Sequence, residues 1–224
     1  ERHCRNRGKG SAQVSLAGEL MRFAEIATLT LHDVKNRLAQ LAGRAEARGD
    51  VETLREAMAA AETLTKLLIY YRSDVGSLAL DIDAHAPVDL AAEFVDAAFL
   101  RGNCQVDVDC SQAPTLWFYD QALVRMVLAN AVQNAARHAR TRIAIEVAES
   151  DGFLEFVVRD DGSGFDEQLL NDAGGAAVHV TGEGTGLGLR LARRIAEMHE
   201  NAGQRGQIRL GNECGAVFRL LLPR

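Results

Sequence analysis

At 224 residues the chain suits one large domain or two small ones, and its 47% hydrophobic and 25% charged content is that of a globular protein. A net charge of −6 argues against general nucleic-acid binding, which draws on a basic stripe. No apolar run nears the roughly 20 residues needed to span a bilayer. No leader is legible and the first residue is Glu1 rather than Met, so any sensing or anchoring segment is expected upstream, with this chain on the cytoplasmic side.

Residues 1–14 carry Arg2, Arg5, Arg7 and Lys9 and read as a solvated tail or a juxtamembrane remnant. From Leu16 the apolar positions run Leu20, Phe23, Ala27, Leu31, Val34, Leu38, Leu41 and Ala45, the alternating three-and-four spacing of a coiled-coil seam. Gly49-Asp50 interrupts it, and a second helix from near Val51 carries Leu54, Met58, Ala61, Leu64, Leu68 and Tyr71. Residues 15–73 thus read as an antiparallel helical hairpin. Alone it would leave much of its seam in water, so pairing with a second copy, a homodimer built on a four-helix bundle, is expected.

Residues 74–86 are polar and turn-rich and read as a linker. Beyond them, from 87 to 224, the pattern mixes helices and strands. A helix is expected from Leu90 to Leu100, a strand of period two over Cys104–Cys110, and a helix from the N-cap candidate Asp120 to Ala139. Strands at Ile143–Glu149 and Phe153–Arg159 flank a turn at Ser150-Asp151-Gly152; a helix follows Gly186, and strands near Ile208 and at Val217–Leu222 close the chain. The expected fold class is therefore α+β: a helical hairpin followed by an α/β sandwich. Cys4, Cys104, Cys110 and Cys214 lack zinc-site spacing. Six extended residues place Cys104 and Cys110 about 20 Å apart, beyond disulfide reach, so free thiols in a reducing compartment are expected.

Four segments bear chemistry. His32 follows the seam residue Leu31 and so lies at the edge of the apolar stripe, open to water. Asp33 can hydrogen-bond one ring nitrogen and leave the other free to attack, and Asn36 stands one turn along the same face, where its amide can orient a water. The alternative is an ordinary polar helix face. Asn130 and Asn134 are also one turn apart, on a helix whose apolar face holds Leu123, Met126, Val127 and Ala131. Asn disfavours helix interiors, and two aligned carbonyls suit a Mg²⁺ that keeps most of its ligands as water and phosphate. Arg137 and His138, a turn on, can donate to phosphates; a solvated polar face is again the alternative. Asp160, with Gly162 and Gly164, follows a strand, where its carboxylate can accept from an exocyclic amine such as adenine's while the glycines let backbone approach a flat base. Gly184-Thr185-Gly186-Leu187-Gly188 opens a helix whose free N–H groups can hold a phosphate, without the Gly-Lys-Ser/Thr of a Walker loop.

In this order the segments resemble the catalytic core of two-component sensor histidine kinases, over nearly the whole chain. The hairpin looks like their dimerisation and phosphoacceptor domain, and residues 87–224 like the ATP-binding domain shared with gyrase, heat-shock chaperones and mismatch-repair ATPases. The likeness implies ATP and Mg²⁺ as cofactors, His32 as phosphoacceptor, Asp33 as its acid/base partner, and Asn36 at the position that aids dephosphorylation of the partner. It implies Asn134 as Mg²⁺ ligand with Asn130 beside it, Arg137 facing phosphates, Asp160 on adenine, and a response-regulator receiver domain as partner. The chain departs from the pattern in four places. No Pro follows the His32 segment, only some seventeen residues separate His32 from the turn, the stretch from Phe165 to Gly184 holds no Lys or Arg and only His179, and Glu200–Gly206 is longer than a usual turn. The rival expectations are a histidine phosphotransferase or non-catalytic dimeric scaffold with a degenerate ATP domain, and a gyrase-type ATPase, which lacks its usual carboxylate beside Asn134.

Overall fold

The computed structural model describes residues 30–99, 104–172 and 186–224. They belong to two compact units that divide between Tyr71 and Arg72. The tail 1–14, the start of the seam (Leu16 to Ala27), Cys4, Leu100, His179, Gly184 and Thr185 lie outside the described residues.

The first unit is the hairpin. Helix α1 runs over 30–48, and α2 spans Val51–Asp74. Gly49 turns the chain with φ +68°, a conformation that costs a glycine little, and its N–H donates to Glu46 O at 3.0 Å. Asp50 then starts α2: its carboxylate accepts from Thr53 N at 3.1 Å and Thr53 Oγ1 at 2.7 Å. Those bonds hold the Asp50 carboxyl below the usual carboxylate range. Close packing is confined to small residues near the turn, where Ala45 and Ala57 are buried. Leu38, Leu54, Leu64 and Leu68 are half-buried, whereas Val34, Leu41, Met58 and Leu67 are exposed, Met58 to 61%. The seam read from sequence is therefore only half closed within one hairpin.

The second unit is a five-stranded sheet in the order β2-β4-β5-β9-β8, built from Gln105–Gln112, Arg142–Ser150, Phe153–Asp160, Ala216–Pro223 and Gln207–Asn212 respectively. The β2–β4 pair is parallel and the others antiparallel. Helices α3 (Pro87–Phe99), α4 (Gln121–His138) and α6 (Leu187–Met198) cover it. The register puts Ile145, Val147, Phe156, Val158, Leu220 and Leu222 on one face, all buried, and this is the core. Their alternation is what drives these segments to be strands. The opposite face carries Glu146, Glu155, Arg159 and Arg219. Arg159 pairs with Glu146 at 2.9 Å and with Glu213, and Arg219 with Glu155 at 3.0 Å and Glu213 at 3.2 Å. These long side chains share that face with Val157, Val217 and Leu221, which are buried.

Three short pieces went unread in the sequence. Strands β1 (Asp83–His85) and β3 (Trp117–Tyr119) pair antiparallel, β1 lying inside the segment expected as linker. Trp117 fixes β3 by donating Nε1–H to Pro223 O at 3.0 Å. The long turn at 200–206 is a small hairpin, β6 (Glu200–Asn201) against β7 (Gln204–Arg205), with Ala202 and Gly203 at positive φ. A short helix α5, Glu167–Asp172, follows the Asp160–Gly164 loop. The expected helix and strand ends otherwise moved by only a few residues.

Candidate functional site

On α1, His32, Asp33 and Asn36 are all exposed. Asn36 Nδ2 lies 3.2 Å from His32 Nδ1. The four-residue spacing stacks the amide over the ring, whereas the neighbour Asp33 projects about 100° round the helix. Thus Asn36 is the group at Nδ1, a contact the sequence reading did not name, and Nε2 faces away from it.

Helix α4 begins on Asp120, whose Oδ1 accepts from Leu123 N at 3.0 Å and Oδ2 from Asp81 N at 3.0 Å. Its buried face is Leu123, Val124, Val127, Leu128, Ala131, Val132 and Ala135; Met126, read as part of that face, is only half-buried. This leaves Asn130 and Asn134 half-buried along the margin of the core, while Arg137 and His138 are exposed at the last turn. Among the described residues the Asn134 side chain takes no hydrogen bond.

Helix α6 starts at Gly186, whose φ of +63° only glycine adopts without strain. Leu187 and Gly188 form its first turn, and a Cβ on Gly188 would overlap the Asn130 side-chain amide. That glycine is what lets the N-terminus of α6 close on α4. The far end of α6 is tied down twice. Arg194 Nη2 donates to Ser73 O at 2.7 Å. His199 is buried, donates Nδ1–H to Ile195 O at 2.8 Å and accepts from Asp120 N at Nε2 at 3.1 Å. Burial holds His199 below the usual histidine range.

Asp160 is the last residue of β5 and opposes Ile143, so it shares the core face of the sheet at its edge. Its Oδ1 accepts from Gly162 N at 2.8 Å and Ala216 N at 3.2 Å. The glycines of this loop also make room for neighbours that the sequence reading did not name. A Cβ on Gly162 would strike the His138 carbonyl, and one on Gly164 (φ +83°) would sit 2.7–2.9 Å from the amide atoms of Asn212. The flat group lying on Gly164 is thus a side chain of this protein, and His138 contributes its backbone to the loop. Two residues escaped the sequence reading. Asp161 accepts from Arg140 N at 2.7 Å, Thr141 N at 3.0 Å and Thr141 Oγ1 at 2.6 Å, with the Thr141 side-chain bond foremost in holding its carboxyl far below the usual range. Asn212 bonds both backbone groups of Phe165 at 2.8 Å. Nothing local in the sequence marks either, because their partners are 20 and 47 residues away.

The second unit therefore closes the α6 N-terminus on Asn130 of α4 and sets the Asp160 loop against the His138 end of the same helix. No helix among the described residues is long and apolar enough to cross a membrane, and no cluster of three His, Cys, Asp or Glu there can hold a metal. A divalent ion would instead use a neutral oxygen such as that of Asn134 together with phosphate oxygens and water, a donor set that suits Mg²⁺.

Residues 119–224 match the family of histidine kinase-, DNA gyrase B-, and HSP90-like ATPases. The chain is 30% identical over 170 residues to the signal transduction histidine-protein kinase AfsQ2 of Streptomyces coelicolor, covering 73% of this chain and 30% of that protein. It is 34% identical over 105 residues to the sensor protein BasS of Escherichia coli, covering 41% of this chain and 29% of that protein. The chain thus spans less than a third of the length of these relatives. Its fold matches full-length ShkA in complex with AMPPNP (TM-score 0.66, 21% identity, 88% of this chain and 44% of that one). It also matches the Acinetobacter baumannii histidine kinase AdeS (TM-score 0.61, 17% identity, 86% and 97%). A helical hairpin followed by an ATPase-family sandwich, with these relatives, supports a sensor histidine kinase catalytic core.

Proposed function

We propose that this chain binds ATP in its second unit and transfers the γ-phosphoryl group to His32 in its first. The observation that carries the reading is the close approach of Asn130 to Gly188, which joins an amide-bearing helix to a glycine-opened helix. Each element has a task in that reaction. Asp160 Oδ2, which neither of its loop bonds uses, accepts from the exocyclic amine of adenine. The N-terminus of α6 stabilises phosphate charge through its free N–H groups and dipole. Asn134 holds Mg²⁺, which supplies charge neutralisation on the phosphates. Thr185 and Gly184 precede Gly186 in the sequence and belong to the same phosphate-binding motif, and Arg137 and His138 add phosphate donors. The binding of AMPPNP by the ShkA neighbour supports a nucleotide of this class.

At His32 the amide of Asn36 orients the ring. With its oxygen toward the ring it accepts Nδ1–H, and the Nε2 lone pair is then free. Nε2 forms the new P–N bond as the bond from the γ-phosphorus to the β,γ-bridging oxygen breaks and ADP leaves; the Nδ1 proton stays on the Asn36 amide oxygen's side and passes to water, while the neighbouring Asp33 carboxylate favours the positive charge that builds on the ring. The phosphoryl group then passes to an Asp of a response-regulator receiver domain, and Asn36 orients water for the reverse, dephosphorylating activity. The exposed Val34, Leu41, Met58 and Leu67 support a homodimer in which a second hairpin covers them in a four-helix bundle.

The test is labelling with γ-labelled ATP and Mg²⁺ on the wild type, His32→Ala and Asn134→Ala. Acid-labile, base-stable label lost in both variants is expected. No label and no nucleotide binding on the wild type would leave the phosphotransferase or scaffold reading, whereas no label with ATP bound would point to an inhibited kinase. Label that survives in His32→Ala would move the acceptor elsewhere.

A further inference from the structure

We propose that Asn212 is a positioning residue for nucleotide recognition, holding the Asp160–Phe165 loop in the curve that presents Asp160. This rests on the reading of Asp160 as the base-binding carboxylate. Asn212 ends β8 and is paired in register with Ala216 of β9. Its Oδ1 accepts Phe165 N–H and its Nδ2 donates to Phe165 O, both at 2.8 Å. One planar amide therefore satisfies both polar groups of one backbone residue. Aspartate offers no donor when ionised, and a hydroxyl reaches one group only.

The other end of the loop is held by the same hairpin. Ala216 N donates to Asp160 Oδ1, and Gly215 packs so closely on the Asp160 carbonyl that a Cβ there would collide with it. The β8–β9 turn thus spans the loop, with Ala216 at its start and Asn212 at its finish. Gly164, at φ +83°, lies under the Asn212 amide, so its left-handed turn and the amide define each other's position. Asp161 secures the loop from the opposite side, on the α4–β4 connection.

Phe165 is only half-buried, so water can replace the Asn212 bonds when they are lost. The fold then survives, but the loop samples more conformations and must be ordered by the ligand. Loss of Asn212 should consequently appear in binding rather than in stability.

The experiment compares wild type, Asn212→Ala and Asn212→Asp by ADP titration calorimetry, thermal melting without nucleotide, and ATP-dependent labelling. ADP affinity is expected to fall about tenfold in Asn212→Ala, as for one or two ordered neutral hydrogen bonds. It should fall further in Asn212→Asp, whose second oxygen faces the Phe165 carbonyl. Melting temperature should hold, and half-maximal ATP concentration should rise while the labelling rate at saturation changes less than twofold. Unchanged ADP affinity in both variants, with a wild type that binds, overturns the role of Asn212 alone. A fall in melting temperature together with the saturated rate would make Asn212 a structural strut and also overturn it. A wild type that binds no ADP removes the Asp160 reading itself and the Asn212 role with it.

Discussion

The two units bury their apolar residues to different depths. In the unit from Arg72 onward, Leu90, Tyr119, Phe156, Ile195, Leu220 and Leu222 are sealed between a sheet and a helix layer. In the hairpin Ala45 and Ala57 are the only buried apolar residues among those described, and five large apolar side chains, Val34, Leu41, Val51, Met58 and Leu67, stand in water. Two helices have no second layer, so they close where small residues let them touch and stay open elsewhere. Among the described residues the first unit thus has almost no sealed core, whereas the second has a large one, although Leu116 and Phe118 of the second unit also stand exposed.

Breaking that contrast should cost most in the sealed core. Phe156→Ala is expected to destabilise the second unit by about 3–5 kcal/mol, read by denaturant unfolding; a loss under about 1 kcal/mol would contradict its burial. Met58→Glu probes the open unit. Each copy of a dimer would forfeit about 1.5–3 kcal/mol of side-chain burial and gain a charge, so light scattering should show monomers. Melting of the second unit should not move, and a surviving dimer would place the interface elsewhere. Asp120→Ala removes the α4 cap and the acceptor for Asp81, and a loss of about 2 kcal/mol is expected.

His199 sharpens the comparison through pH. Its ring is buried and neutral, with Nε2 already accepting from Asp120 N, so a proton there would set donor against donor. Because its folded pKa is depressed, its contribution is full above the ordinary histidine value of about 6.5 and is lost as pH falls through the lower folded value. Melting temperature should therefore drop between pH 7 and 5, and the slope should flatten in His199→Gln. An equal slope in both would assign the titration to another group. The smallest effect is at the surface: Glu93→Gln breaks the exposed pair with Arg125 (2.7 Å), and less than about 1 kcal/mol is expected, vanishing in high salt.

The parts of this protein readable in its sequence are those fixed by near neighbours. The helix start at Asp120, the turn at Gly49-Asp50 and the alternating strands around Asp151-Gly152 each rest on contacts within a few residues, which composition and period reveal. The three-residue strands β1 and β3 were missed because their pairing, and the Trp117 bond to Pro223, join distant segments. The site divides in the same way. The spacing of Asn130 and Asn134, the glycine-opened helix and the strand-end Asp160 were legible as patterns.

What each glycine makes room for was not legible, nor which group meets His32 Nδ1. Gly188 yields to Asn130, Gly162 to the His138 carbonyl and Gly164 to Asn212, and in each case the neighbour arrives from another part of the chain. By itself, then, the sequence determined the helices, the main strands, the order of the motifs and the family resemblance, since local periodicity and capping set these. Only the tertiary structure decided that the β8–β9 turn clasps the Asp160 loop and that α4 and α6 meet at Asn130. Those outcomes depend on which distant surfaces come within contact of one another, and no local pattern encodes that.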